Sequence, residues 1–378
     1  MKWQKWTFRL LDTGFFRDGL PFNMGEGGYN VVRSIFPPHM TTFQGAIRTS
    51  LAAERGWGPG QEHLWPEELG SNDDLGNLRL RGPYIFIDGQ PAFSAPLSVI
   101  CCRHREAAAV DGEKEMGKYE FVRLKPGKKV DCDIGSVCLP DRSKSSMGKE
   151  ELQSVYIKRS GLEALLAGGE PEDGEVVEKG RIWSEEYRTG LERDDDLRTA
   201  VEGKLYNIIH IRPERGVELI VMVAGIPEDW EINPVRVVNL GGEGRLAAVR
   251  IEAADLENII PTMSVPNPAA DGRMRFTVTL ITPGLFDDSR QVIIEGPPGV
   301  PGRCVSACVG KAELLGGWDL VKGEPRPLVP ILPAGCTWFF EVEEAHAEKV
   351  AALHGRCLGN RTEYGFGQVV IGKWEEDI

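Results

Sequence analysis

Six histidines, eight cysteines and a few clustered aspartates are the side chains of this 378-residue sequence that could support acid–base, thiol or metal chemistry. The histidines are His39, His63, His104, His210, His346 and His354. Only His39 falls among other suggestive residues, where it could act as a general base in RNA cleavage, although most single histidines are structural or solvated. Cys101, Cys102, Cys132, Cys138, Cys304, Cys308, Cys336 and Cys357 form no C-x-x-C pair, and no histidine pair has zinc-finger spacing. Reduced thiols are therefore expected, and a metal site at Cys304 and Cys308 lacks the other ligands it needs. Asp194–Asp196 and Asp287-Asp288 read as solvated turns. The sequence holds no G-x-S-x-G elbow, no H-E-x-x-H and no phosphate loop of the G-x-x-x-x-G-K type. These absences predict no catalytic constellation, no metal and no cofactor.

Binding chemistry is easier to find. The stretch RSIFPPHMTTFQGAIR, residues 33–48, places Arg33, Ser34, Phe36, Pro37, Thr41, Thr42, Gln44 and Arg48 around the start of one helix. Pro37 and Pro38 end the preceding extended segment, and Thr41 or Thr42 can cap the helix. Phe43, Ile47 and Leu51 recur at i, i+4 and i+8 as an apolar stripe, with Gln44, Arg48 and Arg55 on its flank. Free N–H groups, hydroxyls and a basic row together make a phosphate seat, while an ordinary capped amphipathic helix explains the same pattern. Two glycine clusters, Gly241-Gly242-x-Gly244 and Gly359 with Gly365 and Gly367, would let a backbone approach another chain closely. Arg361 lies in the second cluster and could add a phosphate contact. The context of these glycines is not that of a dinucleotide-binding strand–turn–helix.

The elements that must position these residues are mostly strands. Residues 3–11, 78–88 and 97–102 read as strands, 42–55 and 160–167 as helices, and LYNIIHIRPERGVELIVMVAGI as a hairpin. VRVVNLGGEGRLAAVRIE reads as two strands around its glycines. Residues 103–150 read as an insertion of long loops, and 168–180 as an acidic solvated loop. The composition shifts at 256–272, which predicts two domains, 1–257 (with an insertion at about 103–202) and 271–378. The later strands and the helix at AHAEKVAALHG suggest an α+β, ferredoxin-like βαββαβ arrangement.

Bulk properties limit the function classes. Forty-one per cent hydrophobic and 27% charged residues are ordinary for a globular chain. No membrane span or export signal is apparent, so a cytoplasmic location is expected. The net charge of −13 argues against a nucleic-acid binder, but it is unevenly spread. Residues 1–60 hold seven Lys/Arg against four Asp/Glu, and 118–159 hold ten against six, whereas 163–202 hold five against thirteen. Binding responds to the local field, so RNA remains admissible.

Taken in order, FFRDGLPFNMGEG, SIFPPHMTTFQGAIR, EYRTGLERDDDLRTAVEGKLYNIIHIRPERGVELIVMVAG, NLGGEGRLA, LPAGCTWFFEV and GNRTEYGFGQVVIGKW resemble the third-subunit family of the Cmr complex. That complex is the type III-B CRISPR–Cas effector of antiviral defence, and the family belongs to the RAMP superfamily. The resemblance implies two ferredoxin-like (RRM-like) domains with glycine-rich loops at 241–244 and 359–367. It also implies a non-catalytic role, holding the repeat-derived 5′ tag of the guide RNA (crRNA) beside the large polymerase-type subunit and the first backbone RAMP subunit. On that reading Arg48 and the helix hydroxyls meet phosphates, Phe36 and Pro37 stack on or wedge bases, and Arg17 and Arg33 are further contacts. Lys144 and Arg188, both expected in loops, join them. His39-Met40 departs from the small-residue or proline-rich continuation that the family pattern leads one to expect. Two rivals are a metal-independent endoribonuclease using His39 or Tyr29 as base, and a purely structural subunit.

Overall fold

A computed structural model describes residues 2–18, 31–103, 119–133, 135–142, 150–194, 196–264, 266, 268–269, 271–319 and 322–374. The chain divides into two compact units, each built from several segments. The first comprises Met1–Gly89, Gly180–Asp255 and Leu314–Val329, and the second Gln90–Lys179, Leu256–Glu313 and Pro330–Ile378.

In the first unit, strands β1 (Trp3–Leu10), β2 (Val31–Val32) and β3 (Arg79–Ile87) flank helix α1 (Met40–Glu54). They are followed by β4 (Trp183–Arg193), β5 (Ala200–Pro213), β6 (Val217–Ala224), β7 (Val235–Asn239) and β8 (Leu246–Ala253). Strands β3, β6, β1, β8 and β7 lie side by side in that order, and every neighbouring pair is antiparallel. The predicted stripe of α1 is buried, with Phe43, Ile47 and Leu51 each at most 1% exposed. Phe43 meets Phe8 of β1 edge-to-face at 5.1 Å. Burying each of these side chains stabilises the unit by about 2 kcal/mol.

One expectation fails here. The runs either side of Pro213–Gly216 do not pair as a hairpin: β5 pairs with β4 and, in parallel, with β2, whereas β6 pairs with β1 and β3. Both runs are apolar enough to suit any sheet, so partner choice falls to tertiary packing. The hairpin that does form is β4–β5, whose side chains Tyr187, Leu191 and Leu197 stand exposed.

In the second unit, β9 (Arg273–Leu280), α2 (Ser289–Glu295), β10 (Arg303–Cys308), β11 (Thr337–Glu343), α3 (Ala347–Ala351) and β12 (Val369–Lys373) follow in sequence. The strands lie in the order β10-β11-β9-β12, all antiparallel. Phe276, Val278, Leu280, Trp338, Phe340 and Ile371 form the centre of their core. Asp288, read from sequence as a solvated turn, caps α2 by accepting from the N–H groups of Arg290 and Gln291. Residues 103–150 are not only loops: strands run at Tyr119–Arg123, Lys125–Cys132 and Gly135–Asp141. The helix expected at 160–167 forms at Arg159–Leu166 and buries Leu162, Leu165 and Leu166. Among the described residues no helix is long and apolar enough to cross a membrane.

Candidate nucleic-acid interface

Beyond Leu10 the chain leaves β1 through Asp12, Thr13, Gly14, Phe15 and Phe16, and this turn is held on three sides. Gly14 exchanges two backbone hydrogen bonds of 2.8 Å with Ile211 of β5. The Phe16 N–H donates to Ser34 Oγ at 3.0 Å, Ser34 Oγ donates to the Ile209 carbonyl at 2.7 Å, and Asp18 N–H donates to the Arg33 carbonyl. On the third side the β7–β8 glycine loop closes over the turn, with Gly242 N–H donating to the Phe15 carbonyl at 2.9 Å. Gly241 must be glycine there: its φ is +84°, and a Cβ would lie 2.4 Å from the Phe15 oxygen. Gly244, at the loop tip, has φ +62° and open space around it.

The second unit repeats this construction. After β9, Gly284 exchanges hydrogen bonds with Leu332, and Asn360 N–H donates to the Leu285 carbonyl at 2.8 Å. Gly359 has φ +92°, and a Cβ there would lie 2.4 Å from the Leu285 oxygen, which matches Gly241 against Phe15. Gly367 lies against the Leu358 carbonyl, and Gly365 caps the short 3-10 turn Thr362–Tyr364 in the left-handed region. Arg361 is exposed in this longer loop, with its guanidinium 6.0 Å from the centre of the Tyr364 ring.

A charged cluster surrounds the first turn. The Asp12 carboxylate accepts Arg212 at 3.0 Å on one oxygen, and Arg188 and Arg245 at 3.3 Å each on the other. Glu186 accepts Arg188 and Arg212 at 2.6 Å each. The Thr13 N–H, then Arg212 and Arg188, hold the Asp12 carboxyl below the usual carboxylate range, and Arg188 and Arg212 do the same for Glu186. His210 lies fully buried, its Nδ1 2.9 Å from Thr13 Oγ1 and its ring stacked on Phe15. Burial, then the fields of Arg188 and Arg245, push its pKa down to about 4, so the ring is neutral near pH 7.

The expected site residues fare differently. Arg17 and Arg33 are exposed, on segments joined by the Arg17–Ser34 bridge. Ser34 ties the turn to β5 with its hydroxyl. Phe36 packs on Trp183, 4.8 Å between ring centres, and Pro37 follows it. Neither Thr41 nor Thr42 caps α1: the N-cap residue is His39, without a side-chain cap, and Thr42 N–H donates to its carbonyl. Gln44 donates to the Thr41 carbonyl and accepts from Arg48. Arg48, expected on an open basic row, is 7% exposed, donates to the Ser71 carbonyl and lies over the Trp65 ring. The flank meets Trp65 and the Ser71 backbone instead of water, so the guanidinium stacks on the ring and directs its N–H groups to Ser71 and Gln44. Arg188 lies in the middle of β4 instead of a loop. Lys144 and Tyr29 fall outside the described residues.

Sequence reasoning missed Asp12, Glu186, Arg212, Arg245 and His210. A usable signal existed in the alternation of strands: Glu186 and Arg188, two apart on β4, share a ribbon face with His210 and Arg212, two apart on β5. Pairing the correct strands was the missing step. Among the described residues no group of three His, Cys, Asp or Glu side chains is placed to hold a metal ion.

The arrangement defines a chain whose turn-and-glycine-loop construction occurs in both units, with three clustered arginines beside the first and Arg361 exposed in the second. The family model described as CRISPR-associated protein (Cas_Cmr3) matches residues 6–374. The chain belongs to the Cas_Cmr3 family, and the resemblance seen in its sequence is borne out over nearly its whole length. It is similar to a chain in the cryo-EM structure of the type III-B Cmr-beta bound to cognate target RNA, at 15% identity, with 92% of this chain and 89% of that one covered and a TM-score of 0.47. A chain of the same assembly bound to target RNA and AMPPnP gives 15% identity, 89% and 86% coverage and a TM-score of 0.45. A chain of the Csm3–Csm4 subcomplex of the type III-A interference complex gives 13% identity, 100% coverage of both chains and a TM-score of 0.38. No curated protein matches the chain.

Proposed function

We propose that the chain is a non-catalytic, RNA-binding subunit of a type III-B CRISPR effector complex, holding the repeat-derived 5′ tag of the guide RNA. In this role it bridges the large polymerase-type subunit to the first backbone RAMP subunit. Family membership supports the complex. The observation that carries RNA binding is the basic edge of the first unit, where exposed Arg17 and Arg33 adjoin the turn that also supports Arg188, Arg212 and Arg245. Guanidiniums suit phosphodiesters through paired N–H donors, and they act locally despite a net charge of −13.

Each unit is read as a ferredoxin-like RAMP domain. Numbering the four shared strands by sequence within each unit gives the order 2-3-1-4 in both: β3-β6-β1-β8 and β10-β11-β9-β12. The first unit carries β7 where a second helix would complete the βαββαβ pattern. A nuclease role finds little support in His39, whose burial pushes its pKa down to about 4, far from that of an efficient general base at neutral pH.

The test is RNA binding across a salt series by the assembled complex, with guides carrying native or scrambled 5′ tags. The double variant Arg17→Ala/Arg33→Ala is expected to weaken native-tag binding about tenfold and to reduce the salt slope by about 1.4. Equal affinity of wild type and variant for the native tag would overturn the assignment.

A further inference from the structure

We propose that Arg188, Arg212 and Arg245 form a phosphate subsite which Asp12 occupies in the RNA-free chain. The inference rests on the RNA-binding reading and assigns it a particular phosphodiester pocket. Three guanidiniums from three elements, β4, β5 and the end of the glycine loop, converge on one carboxylate. Asp12 spreads them over both of its oxygens, Oδ1 to Arg212 and Oδ2 to Arg188 and Arg245. A phosphodiester offers the same pattern, one negative charge shared by two non-bridging oxygens.

Exposure and attachment favour exchange. The Asp12 side chain is 49% exposed and Arg188, Arg212 and Arg245 are 30%, 45% and 24% exposed, so solvent reaches both the carboxylate and the guanidiniums it pairs with. Its backbone is fixed by the neighbouring Gly14–Ile211 pair, while its side chain is held by the Thr13 N–H, which a phosphate must also outcompete, and by ion pairs in contact with water, which are individually weak. Glu186 keeps Arg188 and Arg212 in place at 2.6 Å when Asp12 swings away. The cluster then presents three positive charges against one negative, a net +2 in place of +1. Guanidiniums already ordered in this way lose little freedom on capturing a phosphate.

A buried polar side chain backs the cluster. His210 is fully buried beside this cluster, and its Nε2 has no hydrogen-bond partner among the described residues. Its Nδ1 is engaged by Thr13, the residue next to Asp12. Asp12 thus acts as a stand-in for the phosphate, and RNA must displace it.

The test is Asp12→Asn in the full chain assembled with its partners, measured by anisotropy with a fluorescein-labelled single-stranded RNA. Binding is expected to tighten about three- to tenfold at roughly 0.1 M salt, with a salt slope steeper by about 0.7. Weaker or unchanged binding would overturn the proposal, because Asp12 would then only brace the arginines. Calorimetry with inorganic tripolyphosphate separates this inference from the reading beneath it. Should neither form bind RNA, the function assigned above fails, yet tighter tripolyphosphate binding by Asp12→Asn would retain the subsite and equal binding would remove it. Arg245→Gln, a change on the loop side, is expected to weaken tripolyphosphate binding in either background. No loss there would also overturn the proposal.

Discussion

Replacing Gly241 by alanine tests whether the glycine loop is a rigid clasp over the turn that follows β1. Gly241 has φ +84°, and the added methyl would meet the Phe15 carbonyl oxygen at 2.4 Å and the Phe16 ring at 2.8 Å. A left-handed backbone costs alanine about 1 kcal/mol or slightly more. The backbone oxygen cannot rotate away, so the loop must lift. Lifting loses the 2.9 Å Gly242–Phe15 hydrogen bond, a net contribution of about 1 kcal/mol. Repacking against buried Phe16 adds about 1–3 kcal/mol. The expected total is about 3–5 kcal/mol. Gly244→Ala is the matched control, since Gly244 is also left-handed at φ +62° but a methyl added there would have no atom within 4 Å; it should cost only about 1 kcal/mol. Urea unfolding followed by tryptophan fluorescence should place the Gly241→Ala midpoint about 1 M below that of Gly244→Ala, given slopes of about 2–3 kcal/mol/M. Coincident midpoints would refute the clasp, because the two variants share the backbone penalty and differ only in the close approach.

Two further outcomes follow from buried polar side chains. Arg48→Ala should lower stability by about 2–3 kcal/mol, through loss of the Ser71 and Gln44 hydrogen bonds and of packing on Trp65, while leaving RNA affinity of the folded protein unchanged; a loss of RNA affinity at unchanged stability would return Arg48 to the interface. His210, neutral in the fold with its pKa pushed down to about 4, takes up a proton in the unfolded chain first as pH falls below about 6.5. Folding stability therefore declines from about pH 6.5 to about 4, by as much as about 3 kcal/mol from this group. His210→Asn should show a shallower acid-side decline in urea midpoint, and parallel curves for the two proteins would remove His210 as a source.

Much of the local structure was legible because it depends on short-range periodicity. The Phe43, Ile47 and Leu51 stripe, the β7–β8 strands around their glycines and the β9 strand all follow from residue spacing. The site was legible only in part. The arginine chemistry of Arg17 and Arg33, both exposed, and the close approach of Gly241 and Gly359 could be read in advance, since arginines and clustered glycines keep their character whatever surrounds them. Arg48 could not be placed, because α1 has the same sequence whether its flank meets water or Trp65. Arg188 reads from sequence as a loop residue for a related reason: β4 is polar and ribbon-like, with none of the apolar runs by which strands are recognised.

By itself the sequence determined the apolar helices and strands, the faces they bury and the family to which the chain belongs, but not the polar strands such as β4 and those within 103–150. Only the tertiary structure decided which strands became neighbours. That choice sent β5 to β4 and β2, away from β6, and brought Asp12, Glu186, Arg188, His210, Arg212 and Arg245 together from four separate stretches of chain. Local propensity is set by a few neighbouring residues, whereas strand partnership is set by the summed burial and hydrogen bonding of whole surfaces distant in sequence. The charged cluster is a product of that second kind of choice, and so is the phosphate subsite proposed for it.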